Sequence, residues 1–148
     1  MVSKTSFLAW PMAAVLAVAA LAGPAQAQVA PSAAEAARYT GLHAAAHKGD
    51  LVQLKKLLAS GASVNARDPF GRTPVHVATF ARQPAVIRAL ALAGASLELL
   101  ENDRYDAVTI AAVADDEDTL RVLLGFGASA KLTTSRYDGT ALIAAAHL

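Results

Sequence analysis

The 148-residue chain contains no cysteine. That excludes disulfides, thiolate metal sites, a cysteine nucleophile and a lipidated N-terminal cysteine. It fits an oxidising compartment, where a stray thiol is a hazard. Aromatic residues are scarce at 5%, so the core is expected to be thin and closely interdigitated rather than built on large rings. Charged residues make up 17% against 55% hydrophobic, a balance that argues against disorder over most of the chain. No Asn-x-Ser/Thr glycosylation acceptor, Gly-rich phosphate loop, Gly-x-Ser-x-Gly nucleophile elbow or His-Glu-x-x-His motif occurs. Nucleotide chemistry, serine hydrolysis and zinc proteolysis therefore lack their usual starting points. The length allows one ordinary domain or a short repeat array.

The segment from Met1 to Ala27 reads as a leader rather than as fold. Lys4 gives a positive start, Phe7 to Ala22 is an uncharged apolar run, and Gly23-Pro24 ends any helix. Ala25-Gln26-Ala27 then puts small residues at the two positions that a signal peptidase reads, so cleavage is expected after Ala27. The run falls short of the ~20 residues that span a bilayer, which disfavours an uncleaved anchor. Cleavage removes Lys4 and leaves 12 basic against 12 acidic residues. A neutral chain has no global field to draw it to nucleic acid or anionic lipid. The expected location is the periplasm, or outside the cell, with no membrane attachment once the leader is removed.

What the chain does have is a period. The triplet Gly-Ala-Ser occurs at 61–63, 94–96 and 127–129, at one constant interval. A fixed period of about 33 residues means a stack of repeated supersecondary units that cannot bury their apolar faces alone. Ser32-Ala33-Ala34-Glu35 is a capping-box pattern and predicts a first helix from Ala33 to about Tyr39, covering the leading face of the stack. Residues 28–39 form this linker and cap. Leu42 to Ala46 is then a short helix, Lys48-Gly49-Asp50 a turn, and Leu51 to Ala59 a second helix capped by Asp50. The second unit starts with Thr73 as cap and Pro74 at the first helical position, and Pro84 opens its second helix. The third unit has Val108 to Ala112 and Glu117 to Leu124. Units are expected at 40–72, 73–105 and 106–139, with a truncated fourth at 140–148.

Thr73-Pro74-Val75-His76-Val77-Ala78, Thr40-Gly41-Leu42-His43-Ala44-Ala45 and the run Leu57 to Asp68 resemble the ankyrin repeat. Each six-residue stretch differs at one position from that family's Thr-Pro-Leu-His-x-Ala signature. The resemblance covers about residues 40–148 and implies an all-α solenoid of helix pairs joined by β-turns. It also implies that His43 and His76 are structural, each ring bonding between neighbouring repeats. Departures sit at Asp106 and Thr109, which replace the signature Thr and His, and at Arg82 and Asp115, which replace the glycine between the helices. The link from Gly127 to Thr140 is one residue longer than its predecessors.

The remaining chemistry is thin. His43 and His47 have the spacing of a two-histidine metal site, but no third ligand accompanies them. Asp115 to Asp118 reads as a capped helix start favoured by the helix dipole, and it lacks the ligand spacing of a calcium loop. Ser60, Ser63, Ser96 and Ser129 are turn residues of the repeat. The expectation is a protein that is not an enzyme and needs no cofactor or metal. It would bind a protein partner through turn tips and inner helices. An accessory stabiliser or inhibitor of an exported enzyme, as in stress protection, is the alternative, and a histidine-based metal or small-molecule binder a third reading.

By the matching family positions, the surface residues expected to meet the partner are His47, Lys48, Phe70, Arg72, Phe80, Arg104, Tyr105, Val113 and Tyr137. Phenylalanine, tyrosine and arginine are the types that anchor protein interfaces. The fourth unit would stop before its second helix, leaving Ala141, Leu142, Ala145 and Ala146 uncovered. That predicts a fragment, or an end covered by a partner or by a second copy.

Overall fold

A computed structural model describes residues 28–132 and residue 134. The leader with its expected cleavage at Ala27, Tyr137 and the truncated fourth unit lie outside the described residues. Among those described there are seven helices and no strand: α1 (Ala33–Ala36), α2 (Gly41–Lys48), α3 (Leu51–Ala59), α4 (Pro74–Phe80), α5 (Pro84–Leu92), α6 (Ala107–Val113) and α7 (Glu117–Gly125).

Three helical hairpins, α2–α3, α4–α5 and α6–α7, stack in register. The shorter helices α2, α4 and α6 form one row, and α3, α5 and α7 form the other. Alanine at Ala45, Ala46, Ala78 and Ala111 is almost wholly buried and brings the inner row together. Leu54, Ile87, Leu90 and Leu123 from the outer row, with Ile110, are fully buried in the gaps. Large-to-small changes at such positions cost about 2–5 kcal/mol, so this thin core still carries the fold.

The predicted caps form. Asp50 Oδ1 accepts from Gln53 N at 2.9 Å, and Asp116 Oδ1 from Thr119 N at 3.2 Å. The unexpected Asp106 caps as well, taking the Thr109 N–H at 2.7 Å, so the departure from the signature threonine keeps the cap function. Each Gly-Ala-Ser triplet closes an outer helix through the same bond from the alanine N–H: Ala62 to Leu57, Ala95 to Leu90 and Ala128 to Leu123 carbonyls. Of the acidic run, Asp116 is the buried cap, Glu117 pairs with Arg121 one turn on, and Asp118 is exposed at the helix start.

The residue between the helices is left-handed in all three units, with φ of +72° at Gly49, +53° at Arg82 and +50° at Asp115. Glycine suits that conformation and other residues resist it by about 1–2 kcal/mol. Arg82 has a partial offset. Its guanidinium donates to the Ala114 carbonyl of the next unit at 2.6 Å.

One expectation needs correction. The first helix ends at Ala36, not at Tyr39. Bonds from Arg38 N to the Glu35 carbonyl and from Tyr39 N to the Ala36 carbonyl tighten the chain into a turn. The helix has no buried residue to extend it. Tyr39 instead leaves the helix and lays its ring beside His43 and His47, with centroids 5.8 and 6.0 Å away.

Candidate partner-binding surface

The turn tips are built from the residues just before each inner helix. In the first tip, Asp68 N donates to the Arg72 carbonyl at 3.0 Å. The Asp68 carboxylate takes the N–H groups of Phe70 and Arg72 at 2.9 and 2.8 Å. The second tip repeats this one period later. Glu101 N donates to the Tyr105 carbonyl at 3.0 Å, and Glu101 Oε1 accepts the Tyr105 N–H at 3.0 Å. The tips are tied together by Asn102 N to the Phe70 carbonyl at 3.0 Å. Arg67 Nη1 reaches both the Gly71 and Leu100 carbonyls, at 2.7 and 2.8 Å. The result is a stiff row of tips beside the inner helices.

Each tip also rests on the histidine of the inner helix one step back. His43 Nε2 lies 2.9 Å from the Arg72 carbonyl. His76 holds the equivalent place, with Nδ1 accepting from Thr73 N at 3.0 Å and lying 2.8 Å from Thr73 Oγ1. Nδ1 is therefore unprotonated, and the neutral ring carries its proton on Nε2. That Nε2 faces the Leu99 and Tyr105 carbonyls without completing a well-formed hydrogen bond to either. Burial lowers the His76 pKa to about 4, against a weaker opposing pull from those carbonyls. At neutral pH the ring is an uncharged structural element.

The nominated residues divide. Lys48 and Arg104 are exposed, and Phe70 keeps 42% of its surface open. His47, Phe80 and Val113 are half-buried at the ends of the three inner helices, at one repeat position in successive units. Arg104 stands at the second tip with φ of +67°, where the first tip has Gly71 at +72°.

Two nominations are corrected. Tyr105 is 9% exposed and lies in the core side of its tip. Arg72 is 4% exposed. Its guanidinium donates to the Val29 carbonyl at 3.0 Å, stands 3.5 Å from Glu35 Oε1, and lies over the rings of Phe70 and Phe80 at 4.6 and 5.6 Å. The reason is the segment before α2, which crosses to the first tip and covers this side chain.

Sequence reasoning missed three participants. Tyr39 covers His43 and His47 and donates to Asp68 Oδ2 at 3.3 Å. Arg67 and Asn102 fasten the tips. Arg67 falls within the repeat motif, and its position before the Asp of the turn was the available signal.

Comparison with known proteins decides what the stack is. A family model for ankyrin repeats (many copies) matches residues 42–91. The array is an ankyrin-repeat solenoid. Similar proteins include the ankyrin repeat domain-containing protein SAT10 of Stachybotrys chartarum, 36% identical over 87 residues, 59% of this chain and 4% of that protein. The putative ankyrin repeat protein YahD of Escherichia coli is 32% identical over 80 residues, 54% of this chain and 40% of that one. Rabankyrin-5 of Mus musculus is 46% identical over 65 residues, 44% and 6% of the two chains. This chain thus spans less than half the length of each of these relatives. Ankyrin repeats are, in general, protein–protein interaction modules. Among the described residues, no group of three or more His, Asp or Glu side chains is placed to hold a metal ion, and no helix is long and apolar enough to cross a membrane.

Proposed function

We propose that this ankyrin-repeat protein is a non-enzymatic binding scaffold, exported by its leader, that holds a protein partner in the periplasm. The contact is made by the first tip and the inner-helix ends. The observation that carries this reading is the row His47, Phe80 and Val113, one residue per unit, half-open beside the exposed Phe70 and Lys48. A rigid row of apolar and aromatic side chains next to a cation is the composition of an interface core. Because the tips are cross-tied, little ordering entropy is lost on binding.

The test is capture from periplasmic extract on immobilised protein. A Phe70→Ala, Val113→Asp double variant, which leaves the buried Arg72 intact, is expected to lose most of the captured partner. Capture equal to wild type would remove this surface. Leader cleavage is checked separately by the N-terminal residue of the purified exported chain, expected to be Gln28.

A further inference from the structure

Arg72 is held by its own chain less well than a buried guanidinium usually is. It offers five N–H donors. The Val29 carbonyl takes one bond at 3.0 Å, the Tyr39 hydroxyl also faces the guanidinium, and Glu35 Oε1 stands at 3.5 Å, the limit of a hydrogen bond. The Arg72 Nε is buried with no partner at all. Glu35 is committed elsewhere: its Oε2 accepts the Ser32 N–H at 2.6 Å and its own N–H binds Ser32 Oγ at 3.2 Å, closing the capping box of α1. The acid that neutralises Arg72 therefore serves its own helix cap first.

The covering segment is also lightly attached. Helix α1 has four residues and buries none of them, and Val29 is 60% exposed. Beneath it the site is built. The guanidinium lies over Phe70 on one side and near Phe80 on the other, which fixes its plane. A fixed guanidinium plane with an unsatisfied Nε beside a terminal nitrogen that Glu35 reaches only at 3.5 Å matches a carboxylate, which can take two parallel bonds in that plane. The neighbouring Asp68 carboxylate is no rival, since Oδ1 already takes the Phe70 and Arg72 N–H groups and Oδ2 the Tyr39 hydroxyl.

We infer that residues 29–35 are a strap standing where a partner's acidic segment docks, and that Arg72, framed by Phe70 and Phe80, is the carboxylate-binding centre of the interaction surface. This rests on the partner-binding reading above and specifies its chemistry. The partner presents an extended segment whose backbone carbonyl replaces that of Val29. Its Asp or Glu side chain takes the edge that Glu35 reaches poorly. Replacing one acid by another leaves the local charge unchanged, so the exchange needs no new desolvated charge.

The probe is a fluorescein-labelled peptide with the sequence of residues 28–38, paired with a version carrying glutamine in place of its glutamate. Binding is read by anisotropy against the full chain. The Ser32→Ala, Glu35→Gln double variant loosens the strap by removing its cap and its acid. It is expected to bind the acidic peptide about tenfold more tightly than wild type does, the equivalent of one lost cap. It should also prefer the acidic peptide to the glutamine peptide by about tenfold, the scale of a charge-assisted pair. Arg72→Gln should abolish the preference. Equal affinity for the two peptides on the folded double variant, or no gain over wild type, would overturn the inference, whatever the Arg72 variant does. Partner capture lost with Phe70→Ala, Val113→Asp while the peptides fail to discriminate would leave the wider surface standing and remove only this site.

Discussion

The first and second tips, Asp68–Arg72 and Glu101–Tyr105, share a backbone but not a role. Both close on a carboxylate that takes the N–H of the last residue, and both place a left-handed residue just before it. Both present that last carbonyl to a histidine one inner helix back. The difference lies in what covers them. The first tip meets the segment before α2, which turns Arg72 inward over two aromatic rings. The second has Tyr105 in that position, and the ring is buried in the stack. The repeat thus fixes where the chain goes. What stands on either side fixes which side chains are open.

The largest effect that would break this equivalence is expected at the tip carboxylates. Asp68→Ala leaves two N–H groups without their charged acceptor and should cost about 3 kcal/mol. Glu101→Ala likewise strips the acceptor from two N–H groups, those of Asp103 and Tyr105, and should cost slightly less, because Asp68 alone also accepts the Tyr39 hydroxyl. Urea unfolding of the two variants measures both losses, and a Glu101→Ala loss well below half that of Asp68→Ala would contradict the equivalence of the tips.

Next comes acid. The folded pKa of His76 is lowered to about 4, so below its ordinary value near 6.5 the unfolded chain binds a proton that the folded chain refuses. Stability present at neutral pH is therefore lost as pH falls from about 6.5 toward 4. Between pH 7 and pH 5 the loss should be about 2 kcal/mol. The buried Glu101 and Asp106, whose carboxyls burial shifts upward, act in the opposite sense as pH falls through their folded pKa. His76→Thr, the residue type of the third unit at this position, should flatten the slope over that range. An unchanged slope would show that the ring is not held neutral.

Two smaller effects sharpen the comparison of backbones. Gly71→Ala forces a β-carbon into a left-handed site and against Asn102, and should cost about 1–2 kcal/mol. Asp115→Gly does the reverse at an exposed left-handed residue and should raise stability by about 0.5–1 kcal/mol, after the added freedom of glycine in the unfolded chain is subtracted. Thermal unfolding of both variants checks the signs, and a destabilised Asp115→Gly would mean that the aspartate side chain stabilises its turn.

Much of this fold was legible because its signals are local. The Gly-Ala-Ser period, the Asp50 and Thr73 starts and the prolines at Pro74 and Pro84 each act within a few residues, and the structure places the helices there. The histidine at His43 was also readable, since its bond to the next tip is part of the repeat. The fate of Arg72 was not. Its partners Val29 and Glu35 lie 43 and 37 residues away in sequence, and no periodic pattern encodes a contact made by a segment outside the repeat. Tyr105 was misjudged for a related reason. A tip position suggests exposure, but the next unit's packing decides it. The strained Arg82 and Asp115 were visible as departures, yet only the torsion angles show that the backbone holds its left-handed shape without glycine.

The central claim is that the partner lies against the first tip and the inner-helix ends, not against the outer helices. Photo-crosslinking in cells tests it most directly, with a photoreactive residue placed at Lys48, Val113 or, for contrast, the exposed outer-helix positions Lys56 and Arg121. The account predicts one adduct of constant mass from Lys48 and Val113 and none from Lys56 or Arg121. Adducts from the outer positions alone would contradict it.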